Sequence, residues 1–238
     1  MNARERPRAI SLPVSTLSKL KALHRELDAC RACPKMIRPV VHGCALDTDL
    51  LLVGQAPGPR EGGFGRPFAW TAGKTMFRWF GEALGTSEDE FRAKVYIAAV
   101  ARCFPGKAPG GGDRRPDGEE IARCRTFLER EVAILRPRLV MPVGTLAIEQ
   151  VLGRKVPLVE VVGVPLAGRY HGVPCDILCL PHPSGASTWH RVEPGRSLLA
   201  KALALVAAHP AVRAVFPGAA ARRPRLNEKP LTRLSNVR

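Results

Sequence analysis

Acidic residues are scarce in this 238-residue chain. Twenty-one Asp and Glu face 37 Lys and Arg, for a formal charge of +16 and an isoelectric point near 10.4. That balance excludes an acidic surface and points to a polyanionic partner, because neutralising phosphates releases their counterions. An Arg-rich solvated surface is the bland alternative. Long apolar runs are also missing: none approaches the ~18 residues that would cross a bilayer. Residues 1–20 have neither an apolar core nor a small-residue cleavage site, so a secretory signal is not expected. The chain is therefore expected in the cytoplasm, without a membrane partner. Its seven cysteines are expected to be reduced, which favours metal ligands or buried thiols over disulfides. The 45% of hydrophobic residues can still build a sizeable core.

Residues 1–14 read as a basic arm. After Ser15, a capping residue, Leu17, Leu20, Leu23 and Leu27 recur at helical spacing up to Cys30. Apolar runs at 50–53, 95–101, 139–143 and 175–180 read as four buried strands. Helices are expected at 72–84, about 119–135, from Gly144 to Gly153, and over roughly 191–208, with Ser87 and Glu90 as a capping box. Residues 156–174 form an irregular segment or a hairpin, and 211–238 read as a basic, flexible tail. Strands alternating with helices predict an α/β protein: a three-layer α/β/α sandwich around a central four-stranded, mainly parallel sheet. Ligands of such sheets bind beyond the carboxyl ends of the strands. Three loops follow strand ends, at 54–71, 103–118 and 181–190, and are expected to converge on one site.

Cys30 and Cys33 form a CxxC, Cys103 follows the second strand, and Cys124 lies in the helix after it. Four thiolates suit tetrahedral zinc or an iron–sulfur cluster, and spacing does not separate the two. Cys175 and Cys179 sit in an apolar strand and read as small core residues.

Four segments in order, VGQAPGPREGGFGRPF, YIAAVARC, GDRRPDGEEIARC with the helix and strand after it, and LPHPSGAS, resemble the uracil-DNA glycosylase superfamily, nearest to its iron–sulfur families four and five. The resemblance runs from about Cys30 to Ala208, within a single glycosylase-like domain expected over 15–210. It implies a DNA repair enzyme that flips uracil out of single- or double-stranded DNA and hydrolyses its N-glycosidic bond, acting as a monomer. Cys30, Cys33, Cys103 and Cys124 would ligate a 4Fe–4S cluster, with zinc as the alternative. His182 would donate to the oxygen where the leaving base gathers charge. Phe68 would stack on the base. Backbone N–H groups around Gly54 and Ala56 would bind its carbonyl or a phosphate, and Ser184 and Gly185 would approach the DNA backbone.

Two positions depart from family four. The residue after Gly54 is Gln55, where that family has Glu, so a side-chain base is missing and Gln55 can only orient water. Ala99 stands where family four has an Asn that reads the uracil edge, which weakens discrimination and leaves hypoxanthine or xanthine as further substrates. Glu61 and Asp113 are carboxylates in nearby loops, and Trp189 or His190 could replace an intercalating wedge missing after HPS. The rival functions are a uracil-DNA-binding protein with little turnover and a metal-bearing nucleic-acid module of other activity.

Overall fold

The computed structural model describes residues 15–218 and the backbone of 232–233. The expected arm at 1–14 and most of the expected tail lie outside these residues. In chain order the first elements are α1 (Thr16–Ala29), β1 (Leu50–Gly54), α2 (Glu61–Phe64), α3 (Thr71–Leu84), α4 (Glu88–Lys94) and β2 (Tyr96–Ala99). Next come α5 (Gly118–Leu135), β3 (Leu139–Pro142), α6 (Thr145–Leu152), α7 (Leu158–Val161), β4 (Leu166–Tyr170) and β5 (Val173–Ile177). The chain then forms α8 (Gly195–Ala208), α9 (Pro210–Val215) and the two-residue β6 (Thr232–Arg233).

The sheet order is β2-β1-β3-β5-β4-β6. The four expected strands are its parallel part, β2-β1-β3-β5. The apolar runs of β1, β2 and β3 are buried on both faces, as a covered parallel sheet requires, while β5 leaves Pro174 exposed and Asp176 half-buried. The irregular segment becomes the hairpin strand β4, antiparallel to β5, and β6 pairs with β4. The step from β1 to β2 and the step from β2 back across to β3 run in opposite directions. Right-handed crossovers therefore put α3 and α5 on opposite faces. Accordingly α5 packs with α1, while α3 packs with α4 and α8. The reversal of direction beside β1 opens a crevice at its carboxyl end, the usual ligand position in such sheets.

Several local expectations change. Leu20, Leu23 and Leu27 are buried on α1, but Leu17 is 40% exposed in the first turn. Ser87 caps α4, and the Glu90 carboxylate, which also feels the Ser87 backbone N–H, makes its main bonds to the Thr86 hydroxyl and to Lys94. The reciprocal box belongs to Asp117 and Glu120 at the start of α5. Helix α8 begins at Gly195, after a 3₁₀ turn at Trp189–Arg191, because Pro194 lacks the N–H that an earlier helical start would use. Residues 211–216, expected within the tail, are folded onto the domain. Ala211, Val212 and Phe216 are buried, and the Phe216 ring stacks on Phe91 at 6.0 Å, so apolar contacts hold α9 on the domain.

A buried polar chain crosses the core beside the crevice. Arg102 and Glu131, 1% and 0% exposed, form a two-pronged ion pair, with one bond of 3.0 Å from Nη1 to Oε1 and a second from Nη2 to Oε2. The Tyr96 hydroxyl donates to Glu131 at 2.8 Å, and Arg102 Nε donates to the Ala99 carbonyl at 2.8 Å. Burial alone would lower the Arg102 pKa, but the Glu131 carboxylate holds it above the ordinary value. Among the described residues no helix is long and apolar enough to cross a membrane.

Candidate active site

A cleft of about 520 Å³ lies at the carboxyl ends of β1 and β2. The three loops expected to converge all line it, and they bring Gly54, Gln55, Ala56, Phe68, Ala99, His182, Ser184 and Gly185 together. A larger groove of about 1020 Å³ runs along α5, the end of α6 and the β4–β5 turn, and contains none of these residues.

The first loop owes its shape to what Phe68 must do. Its backbone is left-handed, with φ of 54°, an uncommon state for a residue with a Cβ. Arg92 and Glu61 hold it there. Arg92 donates to the Pro67 and Phe68 carbonyls at 2.9 and 3.0 Å. Glu88 pairs with Arg92 at 2.9 Å, and the guanidinium lies over the Phe77 ring. Glu61, 7% exposed, accepts from the Gly58 and Ala69 N–H groups at 2.9 and 3.0 Å. Burial raises the Glu61 pKa and these backbone donors oppose the rise. Gly73 opens the space on the far side, since a Cβ there would come within 1.7 Å of the Phe68 carbonyl oxygen. The resulting turn sets the Phe68 ring against Gly54, where a Cβ would stand 2.8 Å from the ring edge. Phe68 thus packs on the core and also faces the cleft.

Sheet bonding continues past the strand ends. Val100 N–H donates to the Gly54 carbonyl and Ala101 N–H to the Gln55 carbonyl, at 2.9 and 3.0 Å. This fixes the Gln55 backbone. Among the described residues its side-chain amide has no hydrogen-bond partner. Ala99 is 6% exposed, and its carbonyl is already taken by Arg102.

His182 follows β5 through a short continuation in which Leu180 N–H bonds to Pro142 O and Gly144 N–H to Leu180 O. The Ser184 N–H donates to His182 Nδ1 at 3.2 Å. A neutral ring therefore carries its proton on Nε2, which leaves one donor for a ligand. Burial lowers the His182 pKa, against the opposing pull of Asp113 and with help from His190, and so favours that neutral form. Gly144, at φ of 86°, lies against the ring; a Cβ there would stand 3.0 Å from Cδ2. His190 hydrogen-bonds the His182 backbone and packs edge-on to Trp79 at 5.1 Å. It is 8% exposed, and Trp189 is pinned against Gly195, so neither is free to enter a base stack.

The glycine-rich loop after Cys103 is a small hairpin. Lys107 and Asp113 form an isolated antiparallel bridge and an ion pair of 2.7 Å. Arg114 latches it to α5 by donating twice to Glu120, at 2.7 and 2.8 Å, and once to the Pro105 carbonyl. Asp113 consequently reaches the cleft, with Oδ2 3.6 Å from where a Cβ on Gly58 would lie.

The four singled-out cysteines converge beside this loop. Cys33, Cys103 and Cys124 pack together with Met36, Ala101 and Ala56, and Ala56 also lines the cleft. All three feel the charge of Cys30. Burial, then Cys124, pushes the Cys103 thiol up to about 11. Among the described residues no group of three or more His, Cys, Asp or Glu is arranged to hold a single metal ion. The Arg38 guanidinium acts on Cys103, and its buried Nε has no partner there. Cys175 and Cys179 are buried apart from this group as core thiols, both raised to about 12 by burial.

Sequence reading missed Arg92, Gly73 and Gly144, which act through backbone geometry and leave no motif. It also missed the exposed Trp70 at the rim, for which FAW directly after GRP was the available signal.

Comparison with known proteins agrees with this geometry. The family model of the uracil DNA glycosylase superfamily matches residues 40–207. A type-4 uracil-DNA glycosylase of Pyrobaculum aerophilum is 31% identical over 172 residues, covering 69% of this chain and 83% of that protein. A type-4 uracil-DNA glycosylase of Thermotoga maritima is 31% identical over 151 residues, 62% of this chain and 73% of that protein. A type-5 uracil-DNA glycosylase of Pyrobaculum aerophilum is 28% identical over 164 residues, 59% and 68% of the two chains. The chain belongs to the uracil DNA glycosylase superfamily.

Proposed function

We propose that this chain is a DNA repair enzyme that hydrolyses the N-glycosidic bond of uracil in DNA and leaves an abasic site. The observation that carries the reading is the His182 ring, held neutral with one free donor at a cleft floored by Phe68. The glycosidic bond is inaccessible in a stacked duplex, so the base must be extruded into that cleft. Phe68 receives its face, and the backbone at Gly54–Ala56 offers donors to its edge. When the C1′–N1 bond breaks, the electron pair leaves with the base and charge collects on its carbonyl oxygen. His182 Nε2–H stabilises that oxygen, and water adds to the electron-deficient C1′.

Water needs an acceptor for its proton, and the cleft offers two carboxylates. Glu61 is committed to two backbone N–H groups. Asp113 has one oxygen on Lys107 and the other toward the cleft. We assign the acceptor role to Asp113, with Gln55 orienting the water. Asp113→Asn is expected to slow single-turnover uracil release about 10²-fold, the lower end of the range for a positioned base. A rate within threefold of wild type removes Asp113 from that role.

Cys30, Cys33, Cys103 and Cys124 would hold a 4Fe–4S cluster. One observation supports a cluster over one tetrahedral ion: the buried Arg38 Nε, beside Cys103, lacks an acceptor that a cluster sulfide would provide. The cluster would pin the end of α1 and the Cys103 loop to α5 without taking part in bond cleavage. Ala99 provides no side-chain amide to read the base edge, so other deaminated bases enter the substrate range.

Incubation with single- and double-stranded oligonucleotides carrying one uracil, followed by alkaline cleavage and a gel, tests the activity. An abasic product is expected. Binding without product would instead identify a uracil-DNA-binding protein. Anaerobically purified chain is expected to carry about four irons; zinc in their place would overturn the cluster.

A further inference from the structure

Most of the large apolar residues exposed at this surface are aliphatic, but Phe64 and Trp70 are aromatic, 50% and 39% exposed, and close together. Their rings stack at 6.0 Å with 26° between planes. Arg60 lies over the Trp70 ring at 4.8 Å, and Lys74 approaches it at 5.8 Å. Neither cation has a carboxylate partner among the described residues. Trp70 also lines the cleft, two residues from the Phe68 that floors it.

An exposed tryptophan flanked by two unpaired cations fits the features of a single-stranded nucleic-acid platform: a flat π-face for a base and positive charge for the phosphate beside it. We infer that Phe64, Trp70, Arg60 and Lys74 form a second base-binding site, which stacks the nucleotide adjacent to the extruded one. This rests on the DNA reading above and adds a ligand that the reading does not assign. The site is independent of sequence, because every base has a π-face. It also substitutes for a wedge on the opposite loop, where His190 and Trp189 are buried or pinned.

Removal of the Trp70 side chain leaves the helix start intact, since Trp70 caps α3 without a side-chain hydrogen bond. The probe is a single-stranded oligonucleotide whose deoxyuridine carries a 2′-fluorine to block cleavage, with affinity read by fluorescence anisotropy. Trp70→Ala is expected to weaken binding roughly 5- to 100-fold, the range for loss of one stacked base. Trp70→Phe is expected to stay within about threefold of wild type. On strands with a tetrahydrofuran abasic nucleotide beside the uridine, tested on the 5′ and the 3′ side in turn, one should abolish the Trp70→Ala penalty. The platform is overturned if Trp70→Ala binds the intact strand as well as wild type, or if the penalty survives on both abasic strands. A wild-type chain with no affinity for the intact strand overturns the DNA reading itself, which separates the two failures.

Discussion

His182→Ala is expected to lower single-turnover uracil release about 10²–10³-fold, while affinity for uracil-containing DNA changes by no more than about threefold. The size follows from the role. A preorganised donor aimed at developing charge is worth about 2.7–4 kcal/mol of transition-state stabilisation, more than the same bond contributes to a neutral carbonyl in the ground state. Three features of the site place the effect at this level. The Ser184 N–H fixes the tautomer, Gly144 lets the backbone approach the ring, and burial lowers the imidazole pKa and so favours its neutral form. Rapid-quench measurements under enzyme excess, paired with anisotropy on the non-cleavable strand, read the two quantities separately. A variant that releases uracil within threefold of wild type would remove His182 from the chemistry. One whose whole deficit lies in binding would make it a binding residue.

Glu131→Ala carries the largest expected cost to stability, about 3–5 kcal/mol, because it leaves the buried Arg102 guanidinium without its counter-charge. Glu131 also accepts from the Tyr96 hydroxyl, but that hydroxyl keeps His24 Nε2 as a partner at 2.8 Å, so the cost falls mainly on the orphaned Arg102 charge. The urea midpoint and melting temperature should both drop sharply, with an unchanged urea slope. Replacing the pair together, Arg102→Met with Glu131→Leu, should recover much of the loss, because a neutral pair leaves no orphaned charge. If Glu131→Ala melts within a few degrees of wild type, the pair is not electrostatically buried as described. The effect would also reach the cleft: Arg102 holds the Ala99 carbonyl at the end of β2, so loss of the pair loosens one wall of the base site.

The parallel sheet was legible because LLLVG, YIAA and LVMP are apolar throughout, as strands covered on both faces must be. The convergence of the three loops followed from the α/β alternation alone, and the roles of their residues from the resemblance. What stayed hidden was backbone conformation and contact between distant segments. PGKAPGGGD has no periodicity, so nothing in it announced the hairpin that brings Asp113 to the cleft. Arg92 lies on a helix about two dozen residues beyond the turn it clamps, and it reaches that turn through carbonyl oxygens, which every residue type has. Helix α9 was obscured by its neighbourhood: Ala211, Val212 and Phe216 lie between Pro210 and Pro217, and the basic run from Arg222 onward makes the whole stretch read as tail. The Ser87 cap was legible on spacing, but not that Lys94 and Thr86 would take the main bonds of Glu90.

The turn around Phe68 is tied by Arg92, Glu61 and Gly73 before any DNA arrives. A receptacle built in advance gains little by moving, so the work of unstacking the base falls on the nucleic acid and not on the protein. Such an enzyme traps bases that have already come loose. Its preference should therefore track local strand stability: uracils in frayed, mismatched or unpaired stretches would be removed first, and those in firmly stacked duplex would wait for thermal opening.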